Sequence, residues 1–378
     1  MRVVCLLLSC ALCFAACTSS GIPISEGPGN SASPDAGTEI KTTTPVLTRI
    51  GEIPKTGTTA MAIQCANERI CWLNTQKVLW QSVDGGKAWR EIYQAPEEIV
   101  SYSFIDTEIG FSFSFDKLYR TADGGLTWTH QESPLENSNG QTHALWFLGD
   151  GKTGWLAGGI YRDQTADELQ NGVPNNTRDV TGKRVLEEAI FRTNDGGKTW
   201  QQQRFVDGAN LGRILQIQFV NAEQGLALGE QVVYQTRDSG ATWNSIDFQK
   251  SCVRKEYLAD EYDVSPDNVE MLDSKLMWIS YRDGRVIKTV DGGQHWCDLI
   301  QPGAVSFEGT GRELFTAMHF ANGNHGWGLG ADRLLYETRD GKTWSRVNSE
   351  LRFNGIDFIG PELGFLVSDN SIYNLRPS

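Results

Sequence analysis

One short motif recurs six times along this chain, and it constrains the fold more than any other feature. The motif is Ser/Thr-x-Asp-x-Gly-x-x-Trp, with one residue fewer in the last copy, at 338–344. Its members are the aspartates Asp84, Asp123, Asp195, Asp238, Asp291 and Asp340 and the tryptophans Trp89, Trp128, Trp200, Trp243, Trp296 and Trp344. Self-similarity of this kind indicates a repeat architecture, in which each copy marks one structural unit.

The residue types of this motif are those of a tight turn that leads into a strand. An Asp side chain accepts hydrogen bonds from N–H groups of its own loop, and Gly adopts a positive φ without a Cβ clash. The Trp begins the next strand and buries a large flat ring. Because every copy has the same local task, we interpret these aspartates as structural and not as catalytic.

A second landmark, usually Gly followed by an aromatic residue, precedes each motif tryptophan at a nearly constant distance. It occurs at 71–72, 110–111, 154–155, 225–226, 277–278, 326–327 and 364–365. The distance is much longer only in the third unit, which indicates a loop insertion at about 161–188. Each unit fits four strands: one ending at an apolar residue such as Phe104, one at the landmark, one before the motif and one beginning at its Trp. Such an antiparallel unit, repeated at this period, is a blade of a β-propeller.

The seventh unit, at 353–378, has a landmark but ends before a fourth strand. The segment 46–53 is a spare strand ahead of unit one and resembles the fourth strand that follows Trp89. Placing it in the last blade closes the ring and removes two open edges. The sequence therefore predicts an all-β, seven-bladed propeller at 44–378, with four-stranded antiparallel blades and an N-terminal strand in the last blade.

The full pattern, Phe-x-Asp/Asn followed by Gly-Trp and Thr-x-Asp-Gly-Gly-x-Thr-Trp, resembles a known family over about 46–378. It is similar to the photosystem II stability/assembly factor-like propellers of the Asp-box, or bacterial neuraminidase repeat, group. The resemblance implies the propeller fold. Photosynthetic members assist assembly of a membrane photosystem, so the resemblance also implies a binding or assembly role, although one fold hosts many activities. We call the repeated motif the Asp box below.

The N-terminus resembles that of an exported lipoprotein. The pattern of residues 1–16 predicts a signal peptide, with an apolar run too short to span a bilayer. Ala15-Ala16-Cys17 resembles a lipobox, which implies lipidation of Cys17; an ordinary signal peptide cut nearby is the alternative. Thr18 in place of Asp favours the outer membrane, facing the periplasm. Residues 17–43 are rich in Ser, Gly, Pro and Thr and predict a flexible tether.

The composition argues against several functions. The net charge of −13 does not suit nucleic-acid binding. The cysteines that follow Cys17 form no CxxC motif and the histidines are scattered, so we expect no metal site and no cofactor. It also contains no G-x-S-x-G and no HExxH motif, and we predict no catalytic residue. We expect the propeller to be monomeric.

Four cysteines follow Cys17 in the sequence: Cys65, Cys71, Cys252 and Cys297. Cys65 takes the place that Phe104 has in its unit, and Cys71 takes the place of the landmark Gly. The two therefore lie across one hairpin in an oxidising compartment, and we predict a Cys65–Cys71 disulfide. Cys252–Cys297 then follows by elimination.

Turn alternation separates two faces of the predicted ring. The Asp boxes lie on one face with the turns between strands one and two. The other face carries the turns between strands two and three and the inter-blade linkers, including the segments 161–188, 249–268 and 301–313. Elaborated loops on a rigid scaffold commonly carry binding. Basic residues fall in its predicted turns and linkers: Arg162, Arg178, Arg213, Arg254, Lys255, Arg282, Arg285, Arg312 and Arg333.

These basic residues have two interpretations. They could bind an anion or an acidic peptide, since guanidinium groups suit carboxylates. They could equally be solvated surface residues paired with neighbours such as Asp163, Asp283 and Asp332. Arg282 and Arg285 flank one tight turn, and we expect both to project towards the channel mouth.

Two functional hypotheses follow from the sequence. The first is a membrane-tethered, non-enzymatic binding or assembly propeller that engages a protein partner or acidic ligand near the membrane. The second is a glycoside hydrolase of sialidase type, for which Tyr281 beside Arg282 would be the candidate nucleophile. No motif supports the second hypothesis.

Overall fold

The structure is a computed structural model, which carries side chains and describes most of the propeller. The described residues are 46–53, 62–96, 98–99, 101–114, 116–136, 140–171, 184–205, 213–230, 232–246, 265–300, 315–347, 350–360, 363–369 and 371–376. The predicted signal peptide, Cys17 and the tether lie outside them. None of the described helices is long and apolar enough to cross a membrane.

The predicted seven-bladed propeller is confirmed: the strands form seven separate sheets, one for each blade. Blade one consists of β2 (Ala62–Cys65), β3 (Cys71–Asn74), β4 (Val78–Ser82) and β5 (Arg90–Gln94). Blade two consists of β6 (Ser101–Phe104), β7 (Gly110–Ser114), β8 (Lys117–Thr121) and β9 (Thr129–Gln131). Blade three consists of β10 (Gly140–Phe147), β11 (Gly154–Asp163), β12 (Arg184–Thr193) and β13 (Gln201–Gln202). Blades four and five consist of β14 (Arg204–Phe205), β15 (Ile214–Phe219), β16 (Gly225–Gly229), β17 (Val233–Thr236), β18 (Thr242–Ser245); and β19 (Pro266–Met271), β20 (Met277–Tyr281), β21 (Val286–Thr289), β22 (Cys297–Ile300). Blade six consists of β23 (Phe315–Phe320), β24 (Gly326–Gly330), β25 (Leu335–Thr338), β26 (Trp344–Arg346).

Blade seven is closed by the N-terminal strand, as predicted. It contains β27 (Gly355–Phe358), β28 (Gly364–Val367), β29 (Ser371–Arg376) and the first strand of the chain, β1 (Val46–Glu52). β1 pairs with β29 in antiparallel register, from Val46 opposite Arg376 to Glu52 opposite Ser371. The ring is therefore held shut by main-chain hydrogen bonds between the two ends of the domain, which leaves no unpaired edge on β29.

Aromatic stacking between neighbouring blades explains the landmark residues. The landmark Trp72 of blade one lies flat on Phe104 of blade two, with ring centroids 3.7 Å apart. The same stack recurs for Phe111 on Phe147, Trp155 on Phe219, Trp278 on Phe320 and Trp327 on Phe358. Large aromatic faces buried this way supply much of the apolar core between blades.

The landmark glycines make room for these phenylalanine rings. A Cβ built on Gly110 would lie 2.7 Å from the Phe104 ring, and one on Gly154 would lie 2.5 Å from the Phe147 ring. Phe104 and Gly110 are directly opposite each other across β6 and β7. In blade one this cross-strand pair is Cys65 opposite Cys71, and the two cysteines form the predicted disulfide.

Two departures from the predicted blade interrupt the regular ring. The segment 161–188 is not purely a loop, because β11 and β12 remain paired out to Asp163 and Arg184. Beyond them, α1 (Ala166–Asn171) is a short helix in a domain predicted to be all-β. The second departure is β14, a fifth strand that pairs parallel with β18 on the outside of blade four. Both departures satisfy backbone polar groups that an irregular segment would leave unpaired.

Candidate functional site

The propeller has two faces that differ in sequence and structure. The Asp-box face carries the Asp boxes and the turns between strands one and two, which are hydrogen-bonded to each other: Gly85 donates to the Arg69 carbonyl and Gly124 to the Glu108 carbonyl, both at 2.9 Å. The linker face carries the turns between strands two and three and the inter-blade linkers. The faces are therefore arranged as the turn alternation predicts.

The carboxylates of the Asp boxes are bonded within their own turns. Asp195 Oδ1 accepts the Thr193 hydroxyl at 2.8 Å and the Thr199 N–H at 2.9 Å, and Oδ2 accepts the Thr199 hydroxyl at 2.6 Å. These hydrogen bonds, led by the Thr199 hydroxyl, lower the pKa of Asp195 to about 2. A general acid needs the opposite shift, so the geometry is that of a structural turn.

Asp-box turns also join adjacent blades. Gln235 donates a hydrogen bond from Nε2 to the Gly292 carbonyl of the next Asp box at 2.8 Å. Lys288 Nζ reaches the Gly323 carbonyl of blade six at 2.6 Å. Side chains that precede the Ser/Thr of one Asp box therefore hold the next blade in place.

The Asp-box tryptophans are not equally buried. Trp243 and Trp296 are fully buried, with 0% exposure. The other four, Trp89, Trp128, Trp200 and Trp344, are only half-buried, so the expectation that every copy buries its ring holds fully in two blades. In blade four the reason is visible: Phe205, on the additional strand β14, packs beside Trp243 with ring centroids 6.4 Å apart.

Five of the predicted basic residues are described. Arg213, Arg282, Arg285 and Arg333 lie in turns and linkers of the linker face, and Arg162 lies near the end of β11 that reaches the same face. The others lie outside the described residues, together with 301–313 and most of 249–268: Arg178, Arg254, Lys255 and Arg312. The structure therefore describes part of the predicted binding surface.

Three of these arginines are partly exposed and paired with nearby carboxylates. Arg162 pairs with Glu187 at 3.2 Å, Arg282 with Asp267 at 3.7 Å and Arg333 with Asp369 at 2.6 Å. Arg162 also donates a hydrogen bond to the backbone carbonyl of Asp163, one of the neighbours expected from sequence, at 3.2 Å. Exposed pairs of this kind contribute only about 0–1 kcal/mol, so a bound carboxylate can replace the local partner at little cost.

Arg285 does not project towards the channel mouth, and the expectation for this residue is wrong. It is 1% exposed. Its guanidinium lies over the Tyr281 ring, 4.1 Å from the centroid, and its Nε is 3.8 Å from Asp283 Oδ2. The Tyr281 N–H bonds the Arg285 carbonyl across the turn, and the Arg285 side chain folds back onto the strand that precedes the turn. Arg285 is a core residue of blade five.

The same cluster bears on the glycosidase hypothesis. Tyr281 is 4% exposed and packed under Arg285. Burial raises the pKa of its hydroxyl above the ordinary value. A nucleophile must be reachable and have a lowered pKa or an adjacent base, so Tyr281 is unsuited to that role.

Two groups of buried titratable residues have no counterpart among the residues predicted from the sequence. In blade three, Glu188 Oε1 lies 2.9 Å from His143 Nδ1 and accepts the Ile214 N–H of blade four at 3.0 Å. In blades five and six, His319 Nδ1 lies 3.3 Å from Glu270 Oε1. Burial raises the pKa of the Glu188 carboxyl despite its His143 neighbour.

Asp357 of blade seven belongs to the second group. Its Oδ2 accepts the Cys65 N–H of blade one at 2.7 Å, and burial raises its pKa to about 7. Glu270, His319 and Asp357 occupy one repeat position, directly before the last apolar residue of strand one. Aligning the repeats at that position would have revealed polar residues in a predicted core strand.

Of the two predicted disulfides, the structure describes both cysteines of only one. Cys65–Cys71 is confirmed. Cys297 is disulfide-bonded, while its predicted partner, Cys252, lies outside the described residues, as does Cys17. Within the described part of the chain, no three His, Cys, Asp or Glu residues are grouped so that they could hold a metal ion.

Comparison with known proteins supports the resemblance found in the sequence. The family model "Photosynthesis system II assembly factor YCF48" matches residues 180–314, less than half of the chain. No curated protein matches.

Solved structures match across the whole ring. A structure described as YCF48 bound to D1 peptide superposes with a TM-score of 0.59 at 16% identity, covering 90% of this chain and 98% of that one. YCF48 from Cyanidioschyzon merolae gives the same score and identity over 88% of this chain and 98% of its own. A xyloglucanase of the GH74 group from Xanthomonas campestris matches with a TM-score of 0.56 at 13% identity, over 88% of this chain and 54% of its own.

These matches confirm the predicted resemblance to photosystem II assembly factor propellers with Asp-box repeats. At such low identities the structural matches show the fold alone. They include both a peptide-binding protein and a glycoside hydrolase, so the fold does not by itself distinguish the two functions.

Proposed function

We propose that this protein is a non-enzymatic propeller that binds a protein partner through its linker face while a lipid on Cys17 tethers it to the membrane. The observation that carries the proposal is the blade-three insertion. Strand β11 has 10 residues, whereas its counterpart β16 has 5. At roughly 3.3 Å per residue, the β11–β12 hairpin extends about 17 Å further than its neighbours on this face.

The insertion also presents an apolar side chain. Leu169 of α1 is 69% exposed, the highest value among the large hydrophobic residues that the structure describes. An apolar anchor surrounded by polar and charged groups is typical of protein-binding surfaces. Arg162, at the base of the insertion, and Arg282, on the same face, supply the charged groups.

The path of the chain into the propeller is compatible with this orientation. Val46, where β1 begins, pairs with Arg376. Arg376 in turn contacts Glu68, in a turn of the Asp-box face, at 3.3 Å. The N-terminal segment therefore enters at the Asp-box face, and a tether attached there leaves the linker face unobstructed.

The similarity to YCF48 structures, one of them described with a bound D1 peptide, supports a protein as the ligand. We infer that an acidic segment of the partner lies near Arg282, whose pairing with Asp267 is the longest of the three exposed arginine pairs. The partner's carboxylate would displace Asp267 from the guanidinium.

The test is co-purification from detergent-solubilised membranes with wild type and two charge reversals. Arg282→Glu lies on the linker face, and Lys198→Glu is a matched control in an exposed Asp-box turn. We expect Arg282→Glu, and added salt, to reduce the captured partner while Lys198→Glu does not. Equal capture by all three proteins would refute the charged contact.

Cys17→Ser should move the protein to the soluble exported fraction, and retention in membranes would refute the tether.

A further inference from the structure

Each of the six Asp boxes presents two variable positions to solvent. One follows the Ser or Thr and the other follows the last Gly, and all twelve side chains are exposed. None of them is acidic, although the chain has a net charge of −13. We call these residues the Asp-box tips: Val83, Ala122, Asn194, Arg237, Val290 and Arg339 at the first position, and Lys87, Leu126, Lys198, Ala241, Gln294 and Lys342 at the second.

The Asp-box tips combine apolar and basic side chains. Five are Val, Leu or Ala, five are Lys or Arg, and two are amides. Among the described residues, five large hydrophobic side chains are exposed, and four of them lie on the Asp-box face: Val46, Val83, Leu126 and Val290. Single exposed apolar residues are common on protein surfaces, but these recur at equivalent places of the repeat and gather on one face.

Three tip lysines, Lys87, Lys198 and Lys342, distribute positive charge over blades one, three and six. The two tip arginines already have protein partners, since Arg237 donates to the Gly292 carbonyl at 2.6 Å and Arg339 pairs with Glu337 at 3.1 Å. Lysines beside exposed Val and Leu side chains suit a phospholipid surface, because the ammonium groups meet headgroup phosphates and the apolar groups enter the interface.

Carboxylates on the same face are engaged within the protein. Asp195 is bonded inside its own turn, as described above, and Asp150 accepts the Lys152 and Thr153 N–H groups, both at 2.8 Å. Backbone N–H groups arranged in this way compensate part of the negative charge locally. Two exposed glutamates in neighbouring turns, Glu108 and Glu223, are offset in the other such turns by Arg69, Lys152 and Lys275.

The path of the chain brings this face to a membrane. β1 begins at Val46 on the Asp-box face, and 28 residues separate Val46 from Cys17. The composition of this segment predicts a flexible chain, which at that length spans roughly 30 Å on average. A lipid on Cys17 therefore keeps the Asp-box face at a high effective concentration beside the bilayer, and weak contacts suffice to orient a tethered protein.

We propose that the Asp-box face docks on the phospholipid bilayer that holds the lipid of Cys17. The tip lysines lie at the headgroup phosphates, and Val83, Leu126 and Val290 enter the interface. The inference rests on the lipid tether of the proposed function and adds an orientation to it: the linker face is turned towards the aqueous compartment.

The test locates single positions relative to the bilayer. The protein is anchored through Cys17, by its own lipid or by a maleimide phospholipid, to vesicles of equal parts phosphatidylcholine and phosphatidylglycerol. The fluorescent residue dansylalanine replaces Val290 or, as the linker-face control, Leu169. We expect the emission from position 290 to shift to the blue and to be quenched by spin-labelled lipid, and the emission from position 169 to show neither effect.

Charge reversals test the contribution of the lysines. Lys87→Glu, Lys198→Glu and Lys342→Glu, combined in one protein, should reduce quenching at position 290, since each lysine lost weakens docking about fivefold. Added salt should act in the same direction. The matched control reverses three charges on the linker face, Lys77→Glu, Arg162→Glu and Arg282→Glu, and should leave quenching unchanged. Thermal melts check that both variants fold.

The proposal is overturned if position 290 is quenched no more than position 169, or if the lysine variant and its control are quenched alike. The first comparison needs no charge variant and therefore does not depend on how those variants fold. A missing tether is a separate result, because it appears as wild-type protein in the soluble exported fraction of cells, whereas the maleimide phospholipid supplies the anchor in vesicles. The vesicles contain no partner protein, so the outcome is independent of linker-face binding.

Discussion

Asp357 Oδ2 in blade seven accepts the backbone N–H of Cys65 in blade one at 2.7 Å. The bond crosses the seam where the ring closes, directly beside the Cys65–Cys71 disulfide. Phe365 of blade seven packs in the same core cluster as both cysteines. Blade seven and blade one are thus joined by the strand β1, by a buried carboxyl and by apolar packing against a disulfide.

The buried carboxyl should make folding depend on pH in a defined direction. Burial raises the pKa of Asp357 from 3.8 to about 7, despite the Cys65 N–H and the nearby His319. The folded protein therefore binds this proton more tightly than the unfolded chain, and the associated stability is lost as pH rises from about 4 to about 7. Asp357→Asn keeps an oxygen acceptor for the Cys65 N–H but cannot ionise. Its melting temperature relative to wild type should rise between pH 4 and pH 8.

Asp195→Asn provides a control of opposite sign. In the wild type, the Thr199 and Thr193 hydrogen bonds lower the pKa of the Asp195 carboxyl to about 2. The ionised carboxyl therefore stabilises the folded protein above about pH 4, and this stabilisation is lost as pH falls towards 2. Thermal melts across this range should show the Asp195→Asn deficit shrinking at low pH. If the difference in melting temperature between Asp357→Asn and wild type is the same at pH 4 and pH 8, the raised pKa of Asp357 is contradicted.

The Cys65–Cys71 disulfide should be replaceable by the pair used in the other blades. Phe opposite Gly occupies this position in blade two, as Phe104 and Gly110. Cys65→Phe combined with Cys71→Gly should restore an aromatic contact for Phe365. We expect this double variant to melt at a higher temperature than Cys65→Ala combined with Cys71→Ala, because a buried aromatic truncated to Ala costs about 3–5 kcal/mol. An equal or lower melting temperature would show that the Phe–Gly pair does not fit blade one.

The Asp-box tryptophans should differ in their contribution to stability. Trp243 is fully buried and Trp89 half-buried. Trp243→Ala should lower the free energy of unfolding by about 3–5 kcal/mol, and Trp89→Ala by clearly less. Urea unfolding followed by circular dichroism measures both values. Equal losses would mean that the cover provided by Phe205 is energetically unimportant.

Much of the fold could be predicted because the repeats within this one sequence can be aligned with each other. The Asp boxes mark turns, the landmark glycines accommodate neighbouring rings, and the missing fourth strand of blade seven identifies β1 as its complement. The Cys65–Cys71 pair followed from the same alignment, since the two residues replace Phe and Gly at known positions.

The departures from the repeat could not be predicted in that way. β14 has only two residues, and its pairing depends on where Phe205 lies in space. A charged residue that follows a Gly in a tight turn predicts a surface position for Arg285, but its guanidinium lies over the buried Tyr281 ring. Asp357 and Glu188 are polar residues in core strands, and their bonds reach backbone groups of the next blade, which no local pattern encodes.

The central claim is that a protein partner contacts the linker face and not the Asp-box face. Two exposed apolar residues allow a matched comparison: Leu169 on the linker face is 69% exposed, and Val290 in an Asp box is 63% exposed. Each is replaced in turn by the photo-crosslinking residue p-benzoylphenylalanine, the cells are irradiated, and the products are identified by mass spectrometry. We predict a discrete crosslinked partner from position 169 and none from position 290. Crosslinks to the same partner from position 290 alone, or from neither position, would contradict this account.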